Sequence, residues 1–171
     1  MKKLLLLVLT STLSLPGQTA ATSPEWKELN VKECNFAVEM PGVPKASPTA
    51  TGQQWNLDAG HVYYRIFCMI DNDWQHDTRD PQKMLDHLVG VNADVMSGKV
   101  LKSEVSTFQG FPARYYEIQG KWFDDQRETT AHGRLYKVKQ FTYLVEADVD
   151  LSGKTADGEK FLNSFRLLQK P

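Results

Sequence analysis

The sequence has no apolar run long enough to cross a membrane. Its longest apolar segment lies within residues 1–21 and is about twelve residues long, whereas a membrane-spanning helix needs roughly 20. No second segment of that size follows. We therefore predict no stable membrane insertion.

The short motifs of several common enzyme classes are also missing. The sequence contains no GxSxG nucleophile turn, no phosphate-binding glycine loop, no GxGxxG dinucleotide motif and no HExxH metal helix. Enzymes that need these motifs are excluded. We predict a non-enzymatic protein that holds no cofactor.

The chain has little excess charge of either sign. Of its 20 basic residues, two lie in residues 1–21, which leaves 18 basic against 21 acidic residues in the remainder. Nucleic acid and anionic membrane surfaces attract proteins with an excess of positive charge. The composition therefore predicts no nucleic-acid partner.

Cysteine is scarce, with two residues, Cys34 and Cys68. In an oxidising compartment such a pair favours one disulfide, and a pair of buried free thiols is the alternative. The CxxC spacing of redox sites is missing, so a redox function is not expected.

Residues 1–21 have the order of a secretory signal peptide. Two lysines precede the apolar segment, and small residues follow it up to Ala21. We predict cleavage after Ala21, with Ala20 nearly as suitable, and an uncleaved membrane anchor is the alternative. Export to the periplasm or the medium is expected, with residues 22–171 forming a single domain.

The strand pattern indicates a sheet protein with one strand at its centre. Residues 36–40 alternate apolar and polar side chains, and residues 62–70 are apolar on both alternating faces. A strand with two apolar faces is typical of a central strand covered on both sides. Residues 41–52, rich in proline and small residues, predict a loop or an irregular edge.

Helices are expected at two places. Asp80 followed by Pro81 predicts the start of a helix that ends near Gly98. Strand hairpins with turns at Gln109-Gly110 and Lys139-Gln140 are predicted next, and a last helix is predicted near residues 155–165. The fold class is therefore α+β, an antiparallel β-sheet of about six strands with helices packed on its faces.

Four segments resemble exported bacterial proteins of the PsbP-like group: NFAVEMPGVP, GFPARYYEI, GRLYKVKQFTYLVEA and FLNSF. The resemblance covers most of residues 22–171. It implies an α/β/α sandwich, as in the extrinsic subunit of photosystem II and in a nuclear Ran-binding factor, and it implies binding to protein partners. It brings no set of catalytic residues.

The loop after the central strand is the candidate metal site. Asp71, Asp73, His76 and Asp77 carry ligand groups for a divalent ion. The loop lacks the glycine and the terminal glutamate of a calcium loop. Aspartates also cap turns and helices, so a solvated turn followed by a helix cap is the favoured interpretation.

Acid/base candidates lie on the predicted strands: Glu117, Glu128, His132, Arg134 and Glu146. Such groups act as acid and base only when they lie within hydrogen-bond reach of a substrate. Cross-strand charge pairs are the alternative interpretation.

A partner contact is the remaining candidate site. Trp122 and Phe123 are adjacent aromatic residues in a predicted turn, where few positions allow burial. Our leading hypothesis is an exported accessory or binding protein that contacts an unknown protein partner in the cell envelope. The alternative is a small-ligand or metal-ion binder that uses the Asp71 to Asp77 loop, and an enzyme of unrecognised type is a third hypothesis.

Overall fold

The computed structural model describes residues 25–121, 127–153 and 155–169. The predicted signal peptide, residues 1–21, and the predicted contact residues Trp122 and Phe123 lie outside these ranges. Within them, no helix has the length and apolar character needed to span a membrane.

The main element is a seven-stranded antiparallel sheet with the order β3-β4-β5-β9-β8-β7-β6. Its strands have these bounds: β3 Lys45–Thr49, β4 Gly52–Asp58, β5 Val62–Ile70, β6 Lys99–Phe108, β7 Phe111–Lys121, β8 Glu128–Val138 and β9 Phe141–Asp150. A second antiparallel sheet contains three strands: β1 Lys27–Val31, β2 Phe36–Met40 and β10 Arg166–Leu167.

The α+β class is confirmed, but the expected number of about six strands is too low. Residues 41–52, expected to form a loop or an irregular edge, contain edge strand β3, whose Pro48 removes one backbone donor. Proline is tolerated there because β3 lies at the edge of the sheet, where one side of the strand makes no ladder hydrogen bonds.

Two helices pack on opposite faces of the main sheet. Helix α1, Pro81–Val95, begins as predicted: the side chain of Asp80 accepts hydrogen bonds from the backbone amides of Gln82 and Lys83. Helix α2, Thr155–Ser164, packs with the three-stranded sheet on the other face. A single 3₁₀ turn, Trp74–His76, precedes α1.

The larger core lies between the main sheet and the layer formed by α2 and the small sheet. Its buried side chains include Phe36, Ile66, Tyr143, Phe161 and Phe165. The smaller core lies under α1 and includes Leu85, Val89, Met96, Ile118 and Leu135. The result is an α/β/α arrangement.

Cys34 and Cys68 form a disulfide, as the cysteine count favoured. Cys34 lies in the turn between β1 and β2, and Cys68 lies on β5. The bond therefore ties the small sheet to the centre of the main sheet.

Candidate functional site

Helix α1 covers only part of its side of the main sheet. It packs on β6, β7 and β8, whereas β3, β4 and β5 lie beyond it. As predicted, β5 is an interior strand with neighbours on both sides. Its second face was expected to be covered, but the side chains of Tyr63, Arg65, Phe67 and Met69 there are only partly buried.

We call this uncovered region the open face and define it by Gln54, Arg65, Phe67, Leu144 and the adjoining flank of α1. Gln54, Phe67 and Leu144 form one row across β4, β5 and β9 because they are opposite each other in register. With Arg65 they line a cleft of about 240 Å³.

The flank of α1 beside this cleft is apolar and exposed. Val91 and Val95 retain 44% and 45% of their accessible surface. They continue an apolar stripe that begins with Met84 and Leu88. Asp86, on the opposite side of the helix, contacts β6 and β7, so the stripe faces the uncovered part of the sheet. The cleft of the open face is therefore a groove that this exposed apolar flank of α1 borders.

A buried polar cluster lies at the base of the groove. Arg65 donates a hydrogen bond to Asn92 of α1 (2.7 Å) and forms an ion pair with Glu146. Glu146 is fully buried and also accepts hydrogen bonds from Asn92 and Tyr116. The buried carboxylate of Glu146 thus accepts from three donors, which replace the hydrogen bonds to water that it loses on burial.

Asp148 is the fifth member of this cluster and lies two residues beyond Glu146 on the same face of β9. Its side chain is buried, and no donor group among the described residues reaches its carboxyl oxygens. Burial raises the pKa of Asp148 well above its usual range, and the charge of Glu146 raises it further. Loss of the Asp148 proton is therefore disfavoured in the folded chain.

The candidate metal loop holds its carboxylates against cations of the protein. Arg79 donates to both carboxyl oxygens of Asp77 (2.7 and 2.8 Å) and lies 3.4 Å from Asp71. Asp71 also lies 3.8 Å from the amino group of Lys137. Arg79 therefore occupies the position between the two carboxylates that a metal ion would take.

The other two members of that loop point into solvent. Asp73 and His76 are exposed, and the shortest distance between their charged groups is 4.0 Å. Among residues 25–121, 127–153 and 155–169, no three His, Cys, Asp or Glu side chains are grouped closely enough to hold a metal ion. The backbone amides of Asp73 and Arg79 donate to the side chains of Asp71 and Asp77, which lie two residues earlier in the chain. This is the geometry of a turn held by an aspartate side chain.

The acid/base candidates are divided between the two faces of the sheet. Glu117 and His132 are opposite each other on the α2 side, with 3.9 Å between Oε1 and Nδ1. Glu128 shares that side at the far end of β8, whereas Glu146 lies on the α1 side. Glu117 and His132 therefore do not line the cleft of the open face.

Arg134 has a structural partner set on the same side. Its guanidinium donates to the backbone oxygen of Leu162 (3.2 Å) and to the side chain of Asn163 (2.6 Å), both at the end of α2. It therefore fixes α2 to β8.

Four residues of this cluster are not among the site candidates predicted from the sequence: Arg65, Asn92, Tyr116 and Asp148. One signal was present, since Arg65 is the single charged residue in the apolar segment 62–70. A charge in a central strand requires a buried partner of opposite sign. Asn92 and Tyr116 carry no such signal, because only the packing of α1 on β7 brings them together.

Comparison with known proteins identifies the fold. No protein-family model and no curated protein sequence matches the chain. The structure is similar to cyanobacterial PsbP (CyanoP) from Synechocystis sp. PCC 6803, with a TM-score of 0.59 at 7% identity, covering 88% of this chain and 98% of that one. The chain therefore has a PsbP-like fold.

Two further structures are similar at lower scores. A Pseudomonas aeruginosa protein of unknown function gives a TM-score of 0.43 at 12% identity, covering 77% of this chain and 85% of its own. A Bacteroides thetaiotaomicron protein gives 0.47 at 9% identity, covering 80% and 46%.

Proposed function

We propose that this chain is an exported, non-enzymatic accessory protein of the cell envelope and that its open face binds a protein partner. The observation that supports this most directly is the exposed apolar flank of α1 beside half-buried β5 side chains. Contiguous apolar surface with polar residues around it is typical of interaction sites.

The residues of the open face suit recognition of a protein. Arginine and aromatic residues contribute most to many protein interfaces. Arg65 and Phe67 provide both types on one face of β5. Because Asn92 and Glu146 already hold Arg65, its guanidinium loses little freedom when a partner binds.

The disulfide supports the proposed location outside the cytoplasm. Disulfides persist in oxidising compartments outside the cytoplasm, and Cys34 and Cys68 are paired. Together with the predicted signal peptide, this pairing supports function in the periplasm or outside the cell.

Site-specific photocrosslinking tests the proposed surface. A benzoyl-phenylalanine placed at Phe67 or at Val91, in the full chain expressed in its native host, is expected to give a discrete protein adduct. The matched control is Val105, an exposed valine on edge strand β6 at the opposite side of the sheet. No adduct from the open face, or equal adducts from Val105, would overturn the proposal.

Mass spectrometry of the same protein tests its export. Loss of residues 1–21, together with no alkylation before reduction, is the expected result. An intact amino terminus with two alkylated cysteines would contradict the proposed compartment.

A further inference from the structure

A separate cleft of about 280 Å³ lies between the loop after β5, the first turn of α1 and the start of β7. We call it the loop cleft. Its walls are mainly apolar and are formed by half-buried residues: Trp74, Pro81, Met84, Phe111 and Pro112. The loop cleft and the cleft of the open face share no lining residue, although Met84 also belongs to the apolar stripe of α1.

The apolar walls come from three separate elements. Trp74 lies in the 3₁₀ turn, Met84 on α1, and Phe111 at the start of β7. The aspartates that cap and turn the loop hold it in place, because the Asp77 to Arg79 pair closes it and Asp80 caps α1. The walls therefore form a fixed surface of the kind that small ligands use.

Three cations also line the loop cleft: Arg79, Lys137 and Lys139. Two carboxylates offset them. Asp77 pairs with Arg79, and Asp71 lies between Arg79 and Lys137. One positive charge remains in excess, and no carboxylate of the described residues lies within ion-pair distance of Lys139.

We propose that the loop cleft binds a small molecule with an apolar body and a single carboxylate. The apolar body packs against Trp74, Met84 and Phe111, and the carboxylate lies beside Lys139. The volume is slightly below the roughly 300 to 1,000 Å³ typical of ligand pockets, so the occupant has one ring or a short chain. A single negative charge matches the single excess positive charge.

Binding can be measured with 4-phenylbutyrate as the probe and neutral 4-phenylbutanamide as its uncharged counterpart. In ¹H–¹⁵N NMR spectra of the full protein, we expect 4-phenylbutyrate to shift the Trp74 indole signal and the Met84 amide in a saturable manner. The amide should bind at least about tenfold more weakly, the ratio that corresponds to one charge-assisted hydrogen bond.

A matched pair of variants tests the role of Lys139. Its φ of 50° lies in the left-handed region, which asparagine tolerates better than most residues. Lys139→Asn therefore removes the charge without backbone strain and should weaken 4-phenylbutyrate about tenfold while leaving the amide unchanged. Lys99→Asn, at the opposite end of β6 from the cleft, should change neither affinity.

The outcomes are distinct. Equal binding of the acid and the amide, or an unchanged affinity in Lys139→Asn, would overturn the assignment of the carboxylate. Shifts centred on Phe67 rather than Trp74, or no saturable shift, would overturn the site itself. A Trp74→Ala variant that binds both probes as tightly as the unaltered chain would do the same.

Discussion

Tyr116 lies directly over Gly133 of the neighbouring strand: a Cβ atom at position 133 would be 2.0 Å from Cζ of the tyrosine. The two residues are opposite each other in register, and Gly133 is in turn opposite Glu146 on β9. The hydroxyl of Tyr116 thereby reaches across β8 to donate to Glu146. The missing side chain at position 133 is what allows the buried cluster to form.

Substitution of this glycine should therefore destabilise the fold. Gly133→Ala is expected to lower the free energy of unfolding by about 1 to 3 kcal/mol, because the methyl group displaces the Tyr116 ring. Gly90→Ala is the matched control: it meets nothing within 4 Å on the outer side of α1 and should raise the free energy of unfolding by about 0.5 to 1 kcal/mol. Urea denaturation measures both, and equal effects of the two variants would contradict this packing.

The Arg65 to Glu146 ion pair gives a second prediction. Arg65→Met leaves two buried carboxyl groups without their cation and should reduce the free energy of unfolding by about 3 to 5 kcal/mol at neutral pH. Lys102→Met removes one partner of the exposed Lys102 to Glu104 pair and should change the free energy of unfolding by less than about 1 kcal/mol. A loss in Arg65→Met no larger than that in Lys102→Met would show that the buried pair contributes nothing.

Removal of the disulfide gives a third prediction. Cys34 and Cys68 are 34 positions apart, and a closed loop of that length stabilises a fold by about 3 to 4 kcal/mol through the unfolded chain. The Cys34→Ala/Cys68→Ala variant should lose that amount in urea denaturation. Dithiothreitol should destabilise the unaltered chain but not the double variant. An equal loss of stability in both would show that the reductant does not act through this disulfide.

Features that depend on neighbouring residues could be predicted from the sequence. The Asp80 cap acts on amides two and three positions away, so the start of α1 could be predicted correctly. The hairpin turns at Gln109 and Lys139 were also located, and both residues adopt positive φ there. Strand β10 has two residues and carries no periodicity, so only its pairing with β2 defines it.

The candidate site could be predicted only in part, because it depends on register. A strand's side chains alternate between faces, and a shift of one residue exchanges the faces. The sequence therefore could not place Glu146 with Arg65 rather than with His132. Arg79 was missed for a related reason: it lies two residues after the candidate metal loop and becomes a partner of Asp71 only when the loop folds back.

The last prediction concerns Asp148 and pH. Its pKa is raised by burial in the folded chain, whereas the unfolded chain releases this proton near pH 4. Because the folded chain then binds more protons, the free energy of unfolding should fall as pH rises from about 4 towards the folded pKa. For one proton the slope is at most about 1.4 kcal/mol per pH unit.

Asp148→Asn isolates this effect, because asparagine keeps a neutral side chain of the same shape. Relative to the unaltered chain, the variant should gain stability in urea denaturation as pH rises from about 5 towards the folded pKa of Asp148. Hydrogen bonds from Arg79 and His61 lower the pKa values of Asp77 and Asp150, whose contributions are lost only as pH falls below about 4, so they do not enter this range. Asp73→Asn, at an exposed position, is the control and should show no such trend. A constant loss of stability in Asp148→Asn at every pH would mean that Asp148 is ionised in the folded chain and belongs to the ion pair with Arg65.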